Sequence, residues 1–582
     1  MHIPGFPGQT LPFTAQLDNK PWAKSVQPMM GVLPPEGVDL IVTVDITDLP
    51  NGTFTTTVFL LVTFPGSGTI SNQGVTQVGA PVSISLVTPV TPKAGGTPPQ
   101  NALIIGSVGH LDGINSHWQS DVRVANISQT KAKYQLTFTP DDAAKGVKQT
   151  IIDVDPGVTT ALDDIIKTWY GIGALGETAN GVLEIRPVAS AGKGLPANDD
   201  VSVTTTAVAS SRAYNVTSQG TLGQFIPALP FSGFIGRAVD QAHAATVLGL
   251  QQIAQNADFR TNVGVLEASG QPASVLISVF DSKGGKLLDF PLDLKGGEQR
   301  QLNSFLAQNK ISLNDGRIEV KVTSGEGKIS TYASVVDNHS GDPLLVSGVP
   351  LGVNAFDHFV LPGAADLNTG IAAWRTDMQI LNPTTTPQFV TLTFYPQNSN
   401  AVPQTTSLTV GAGELKKLDN TLASFFGLTN VGGAVHVTTA NATPLVITGR
   451  TYNLTSNGTF GQFIDAVTSA DAVGKSDRPL QILQLEDSVR YRTNVGIAEV
   501  TGKPATVQVQ VILPDSKITP STQIPLPANG FVQLPVIQSL GLTNVYNARV
   551  TLTVVDGDGK ISGYGSVIDQ QTQDPTYVKA QK

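Results

Sequence analysis

The stretch His110–Asp121, HLDGINSHWQSD, gathers two of the chain's seven histidines, two aspartates and one of its four tryptophans. Neutral imidazoles beside a carboxylate are donors a divalent ion accepts, so His110, Asp112 and His117 are candidate metal ligands. The gap between the two histidines matches no established ligand spacing, and a closed site needs a fourth donor the sequence does not point to. A turn with solvated histidines is the stronger expectation, and no other cofactor is implied. Trp169 and Tyr170 are the candidate ligand-binding residues: they flank a short helical segment and could offer aromatic faces to a sugar. DNHSGDP (337–343) has the oxygen-rich composition of a calcium loop but lacks its alternating carboxylates, so a turn with Gly at positive φ explains it better. Nucleophile elbow, zincin helix, P-loop and dinucleotide fingerprint do not occur, so catalytic residues are expected to be none.

The chain repeats itself. WQSDVRV returns as FRTNVGV from Phe259, WRTDMQI from Trp374 and YRTNVGI from Tyr491. A second anchor follows at Leu162, Leu302, Leu418 and Leu534, separated from the aromatic by 44, 43, 44 and 43 residues. A third lies at Asn215, Asp337, Asn453 and Asp569, a further 53, 35, 35 and 35 residues on, so repeat 1 carries an extra loop near 187–200. Repeats 1 and 3 end in YNVTSQGTLGQFI and YNLTSNGTFGQFI, repeats 2 and 4 in YASVVDNHSGDP and YGSVIDQQTQDP, an A-B-A-B order. Trp118 and Trp374 should fill the core at the start of a strand, like Trp22 nearer the N-terminus, and the recurring Asp or Asn should satisfy backbone N–H groups there. Arg260 and Arg492 are candidate ion-pair partners of Asp337 and Asp569. Phe225 and Phe463, behind their glycines, should pack between neighbouring domains.

Those anchors need elements to hold them. RIEVKV (317–322) and VQVQV (507–511) alternate apolar and polar residues, as half-buried strands do. Each inward Val or Ile gains roughly 1.5–3 kcal/mol only under a second layer. The segments after the Leu anchors, LDDIIKTW, LNSFLAQN, LDNTLASFF and LPVIQSLG, predict one helical turn per repeat, with Asp, Asn or Pro at its start. The expected fold class is all-β: tandem immunoglobulin-like β-sandwiches, four related copies plus a different N-terminal β-sandwich. Predicted boundaries are 1–90, a Pro/Gly linker at 91–100, then 101–236, 237–351, 352–474 and 475–582.

Composition narrows the function class. A net charge of -9, with Lys+Arg 36 against Asp+Glu 45, gives no basic face for nucleic acid. Cys is absent, which removes disulfides and thiolate chemistry. No apolar run reaches the roughly 20 residues of a membrane helix, and MHIPGFPGQT has no signal-peptide pattern.

On KPWAKSVQP…LPNGTF the N-terminal part resembles the BACON type of small immunoglobulin-like module. On GHLDGINSHWQSDVRVAN and YNVTSQGTLGQFIPALP the repeats resemble tandem modules of large exported bacterial proteins. That resemblance implies an extracellular or cell-surface setting and carries no catalytic residues. The expected function is a non-enzymatic spacer, adhesin or self-assembling surface subunit whose partners are copies of itself or a surface polymer. The alternative is a glycan- or ligand-binding accessory of a secreted enzyme system.

Overall fold

A computed structural model of the chain describes residues 2–3, 9–18, 20, 23–44, 52–64, 74–86, 97–113, 116–172, 177–188, 207–217, 220–237, 246–397 and 401–582. The extra loop near 187–200 lies mostly outside these residues, as do Trp22 and the 91–96 part of the linker. The molecule is all-β, built of separate antiparallel sheets, and among the described residues the helices between strands are short. It divides into two compact units: Met1–Val90 with Thr150–Asp153, and Thr91–Gln149 with Val154–Lys582. In the first, Leu11–Leu17 lies between Met30–Leu33 and Gly52–Phe64, and Phe13, Leu33, Leu60 and Val62 fill its core.

The second unit holds the four sequence repeats, each using the same strands in the same register. An anchor strand (Ser116–Asn126, Phe259–Glu267, Ala373–Leu381, Tyr491–Glu499) pairs with a return strand (Ala207–Thr217, Ile329–Asp337, Val446–Thr455, Ile561–Asp569). The first and third sequence anchors face each other across that pair: Trp118 with Asn215, Phe259 with Asp337, Trp374 with Asn453 and Tyr491 with Asp569. The Leu anchors pair on the other side, with Val122, Val263, Met378 and Val495. A fixed sequence distance thus becomes a fixed cross-strand contact. Each Leu is followed by a helical turn, Ile165–Thr168, Phe305–Gln308, Thr421–Phe426 or Val536–Ser539, whose first apolar residues are buried.

Two expectations need correction here. The residues at the helix starts, Asp164, Ser304 and Asn420, adopt left-handed backbone (φ between 40 and 47°) and make no side-chain cap. Their backbone N–H groups donate instead to Asp121, Asn262 and Asp377 of the anchor strand, at 2.8, 2.8 and 2.7 Å. The recurring Asp/Asn therefore satisfies a backbone donor, but one at the helical turn. The two tryptophan anchors are not buried core residues either: Trp118 and Trp374 are only half-buried, and Trp118 Nε1 donates to Ser116 Oγ, whereas Tyr491 at the same position is buried in the core of repeat 4.

The A and B types differ in how their sheets join. In repeats 1 and 3 one long lead strand, Leu103–Gly113 or Phe356–Asn368, begins in one sheet and ends paired to the anchor strand of the other. In repeats 2 and 4 the lead strands Val247–Gln255 and Leu480–Asp487 stay in one sheet, so the two layers are separate. All four repeats carry a closing strand on the return strand: Gly220–Pro227, Pro343–Ser347, Gly458–Asp465 and Pro575–Lys579.

Candidate functional site

The largest clusters of charged and hydrogen-bonding side chains described below lie at junctions between repeats. Two of the junctions are apolar. Between repeats 1 and 2, Phe231 and Phe234 pack with Leu266 and Tyr332; between 3 and 4, Val467 and Ala472 pack with Ala498 and Tyr564. Backbone bridges, Ile235 to Ile329 and Val473 to Ile561, seal them. The other two junctions join repeat 4 to repeat 1 and repeat 2 to repeat 3, which closes the four repeats into a ring.

These second junctions are polar and duplicate one another. The hairpin leading into the closing strand of an A repeat enters the Asp-rich turn of a B repeat. Asp569 Oδ2 accepts from Thr221 N and Oγ1 at 3.0 and 3.1 Å, while Oδ1 accepts from Gln571 N and Thr572 N of its own turn. Asp337 does the same with Thr459 N and Oγ1 (2.9 and 2.6 Å) and with His339 N and Ser340 N. Desolvation would raise both carboxyls, but the bonds from Thr459 and the backbone hold Asp337 below its ordinary value, and those from Thr221 and the backbone hold Asp569 there. Two glycines make room for this approach. A Cβ on Gly220 (φ +142) would stand 3.0 Å from Asp569 Oδ2, and one on Gly458 (φ +104) 2.6 Å from Asp337 Oδ1.

An arginine completes each junction. Arg212 donates to Tyr491 Oη at 3.2 Å and Thr221 Oγ1 at 2.9 Å, with its guanidinium 5.0 Å above the Tyr491 ring. Arg450 donates to Thr459 Oγ1 and lies 5.1 Å above Phe259. The aromatic anchor of a B repeat is therefore covered by a cation from an A repeat. Gln252 and Gln484, at φ +57 and +56, reach repeats 3 and 1: Gln252 N donates to Gln379 Oε1, and Gln484 Nε2 to Asp121 O. Phe225 is buried in the core of repeat 4 and Phe463 packs against that of repeat 2, as the GTLGQF and GTFGQF segments predict.

The four closing strands meet at the middle of the ring around a space of about 50 Å³, lined among others by Phe225, Leu344, Phe463 and Tyr577. That is room for a few water molecules. Beside the closing strands, Asp342 and Asp574 are 2% and 1% exposed. Asp342 Oδ2 accepts from Gly461 N and Asp574 Oδ2 from Gly223 N, at 2.7 and 3.2 Å. Burial pushes Asp342 well above the usual carboxylate range and Asp574 up to about 7, and the Oδ1 atom of each is buried without a hydrogen-bond partner.

The sequence-derived site residues fare differently. His110 is buried with Nδ1 2.9 Å from Asp164 Oδ2; His117 is exposed with Nδ1 2.7 Å from Asp112 Oδ1; the two rings meet edge to face, centroids 4.7 Å apart. Each histidine thus has its own carboxylate, and no group of three or more potential metal ligands occurs among the described residues. Tyr170 is buried and stacks on Phe138 at 5.4 Å, so it cannot present a face to a ligand; Trp169 beside it is half-exposed. The Arg260–Asp337 and Arg492–Asp569 pairing does not form: Arg260 donates to Asn338 Oδ1 and Arg492 to Gln573 Oε1, and the cation on Asp569 is Arg490, at 3.4 Å. The turn reading of DNHSGDP holds, with Gly341 at φ +79. Sequence reasoning missed the Asp-turn/hairpin pairing. Its signal was present as two motifs that alternate, D-x4-D-P in B repeats and G-T-x-G-Q-F in A repeats.

No known protein family and no curated protein matches this chain. A solved structure it is similar to is the α-L-rhamnosidase of Streptomyces avermitilis complexed with L-rhamnose. Identity is 8%, the match covers 78% of this chain and 54% of that one, and the TM-score is 0.12. The chain therefore spans about half the length of that enzyme.

Proposed function

We propose that this chain is a non-enzymatic structural protein of the cell exterior, a preassembled block of β-sandwiches that serves as spacer, adhesin or self-assembling subunit. The observation that carries the reading is how the recurring polar residues are used. Asp121, Asn262 and Asp377 hold helical turns, and Asp337, Asp569, Thr221 and Thr459 fasten one repeat to another. Contacts with other copies or a polymer fall to the strands that end the sheets, Lys286–Leu294, Gln404–Val410 and Ile518–Leu526, which alternate exposed with covered residues. Particle images of the purified chain at rising concentration test this. End-to-end or lateral assembly, or decoration of cell-wall material, is the expected result. Isolated particles at every concentration that touch no surface or polymer refute it.

The half-exposed Trp169 supports a second reading, a glycan-binding accessory module. Retention on immobilised polysaccharides that Trp169→Ala abolishes would favour it; retention unchanged by that substitution would remove it.

A further inference from the structure

We infer that His358 and His436 make the junction between repeats 3 and 4 acid-sensitive: as a neutral hydrogen-bonded pair they hold it shut, and protonation loosens it. The two imidazoles stand on neighbouring strands of repeat 3, Phe356–Asn368 and Val431–Thr443. His358 Nε2 and His436 Nδ1 are 2.9 Å apart, a bond whose single N–H either ring can supply. Each residue lies two positions from a member of the apolar cluster that joins the repeats, Val360 or Ala434, and therefore on the same face of the sheet. His436 is 2% exposed, and its Nε2 is buried without a hydrogen-bond partner; His358 is half-buried. Repeat 1 has the same strands and the same kind of apolar cluster but no such pair. Val360 pairs with His436 as Ile104 pairs with Glu184, and Ala102 stands where His358 does. Glu184 has its own cation, Arg186. The fold thus builds this kind of junction without imidazoles, and the pair is an addition to it.

The groups around the pair do not compensate a positive charge. Tyr395, on the strand Gln388–Pro396, has its ring 4.5 Å from that of His436, and its hydroxyl accepts from Asn529 Nδ2 of repeat 4 at 3.2 Å. Glu499 and the exposed Asp357 are the acids that act on His358. Glu499 is fully buried, and its oxygens already accept from the N–H groups of Thr501, Gly502, Lys503 and Asn529. One added proton can still be shared across the 2.9 Å bond. A second sets two N–H groups against each other and buries a donor at His436 Nε2 with nothing to accept it.

A free histidine titrates near 6.5. Burial outweighs the two acids and keeps His358 below its ordinary value, while burial and the neighbouring His358 push His436 down to about 3. Groups lowered on folding give stability that is complete above the unfolded value and fades as pH falls through it toward the folded one. The junction therefore loosens from about pH 6.5 downward, above the range in which Asp337 and Asp569 take up protons.

Amide hydrogen exchange of the full chain reads this at Val360, Val467, Val473 and Ile561, whose N–H groups tie the connecting segment to repeats 3 and 4. Ile235 and Ile329, which bridge repeats 1 and 2, are the internal control. After correction for the intrinsic pH dependence of exchange, protection at the first four should fall at least about tenfold more than at the control between about pH 7.5 and about pH 5. Exposure of His436 on opening contributes about thirtyfold by itself at the lower pH. His436→Gln, which does not titrate there, should remove most of that difference. Equal changes at the two junctions, or a difference undiminished in H436Q, overturn the proposal. Should H436Q not fold, the ring signals of the seven histidines in the unsubstituted chain decide. One that stays neutral down to about pH 4.5 is expected, and titration of all seven near 6.5 refutes the proposal.

Discussion

Asn215 and Asn453 in the A repeats stand at the same register position as Asp337 and Asp569 in the B repeats, opposite the aromatic anchor. The asparagines turn inward: Asn215 Oδ1 accepts from His117 N and Asn453 Oδ1 from Ala373 N, both at 2.8 Å, closing their own sheet. The aspartates turn outward and take the hairpin of another repeat. One oxygen and one charge separate the two outcomes. An amide has a single acceptor atom, committed here to an N–H of its own sheet; a carboxylate has two, so one can shape its own turn while the other grips a neighbour. Position in the fold assigns the residue to a strand end, and its chemistry decides whether that end serves the repeat or the assembly.

The largest break in this comparison should come from Asp569→Ala. It strands Thr221 N and two turn N–H groups and removes one bond of Thr221 Oγ1, and should cost about 3–5 kcal/mol in denaturant unfolding, with loss of the repeat 4–repeat 1 contact before the cores melt. Gly458→Ala, which drives a Cβ toward Asp337 at a positive φ, should lose about 2 kcal/mol and weaken only the repeat 2–repeat 3 junction. Acid should act through the same aspartates. Asp337 and Asp569 are held below their ordinary value, so their stabilisation is present above the unfolded pKa and fades as pH falls. Calorimetric melting should therefore drop below about pH 4, and less steeply in a D337N/D569N double variant. Asn215→Ala loses one bond within its own sheet and should cost about 1 kcal/mol with both junctions intact by hydrogen exchange. His117→Ala removes an exposed pair with Asp112 and should shift the unfolding free energy by under about 0.5 kcal/mol.

The repeat structure was legible because register is a matter of counting. Equal spacings from aromatic to Leu to Asn or Asp could persist only if the three lie on paired strands, and they do. The all-β class followed from alternation in segments such as 507–511, whose Val507, Val509 and Val511 are buried. Placement in the core was harder. Trp118 and Trp374 have the size of core residues, but their position at the end of a strand leaves them half-covered. Tyr170 failed the other way, since a sequence does not reveal that Phe138 lies over it. The Arg–Asp guess found the right aspartates with the wrong partners. Nothing in a single repeat signals that its turn will be filled from a repeat 122 or 348 residues away, as the Asp337–Thr459 and Asp569–Thr221 bonds are.

Those two separations set an order of events on the ribosome. Thr459 finds Asp337 already made when it emerges, whereas Thr221 must wait for a carboxylate 348 residues downstream. At roughly 5–20 residues per second that delay is on the order of 20–70 s. Throughout it the first hairpin presents unmated amides and Phe225 to the surrounding medium. A nascent chain stalled in that interval is the form most exposed to swapping its hairpin with a second copy or to capture by a chaperone.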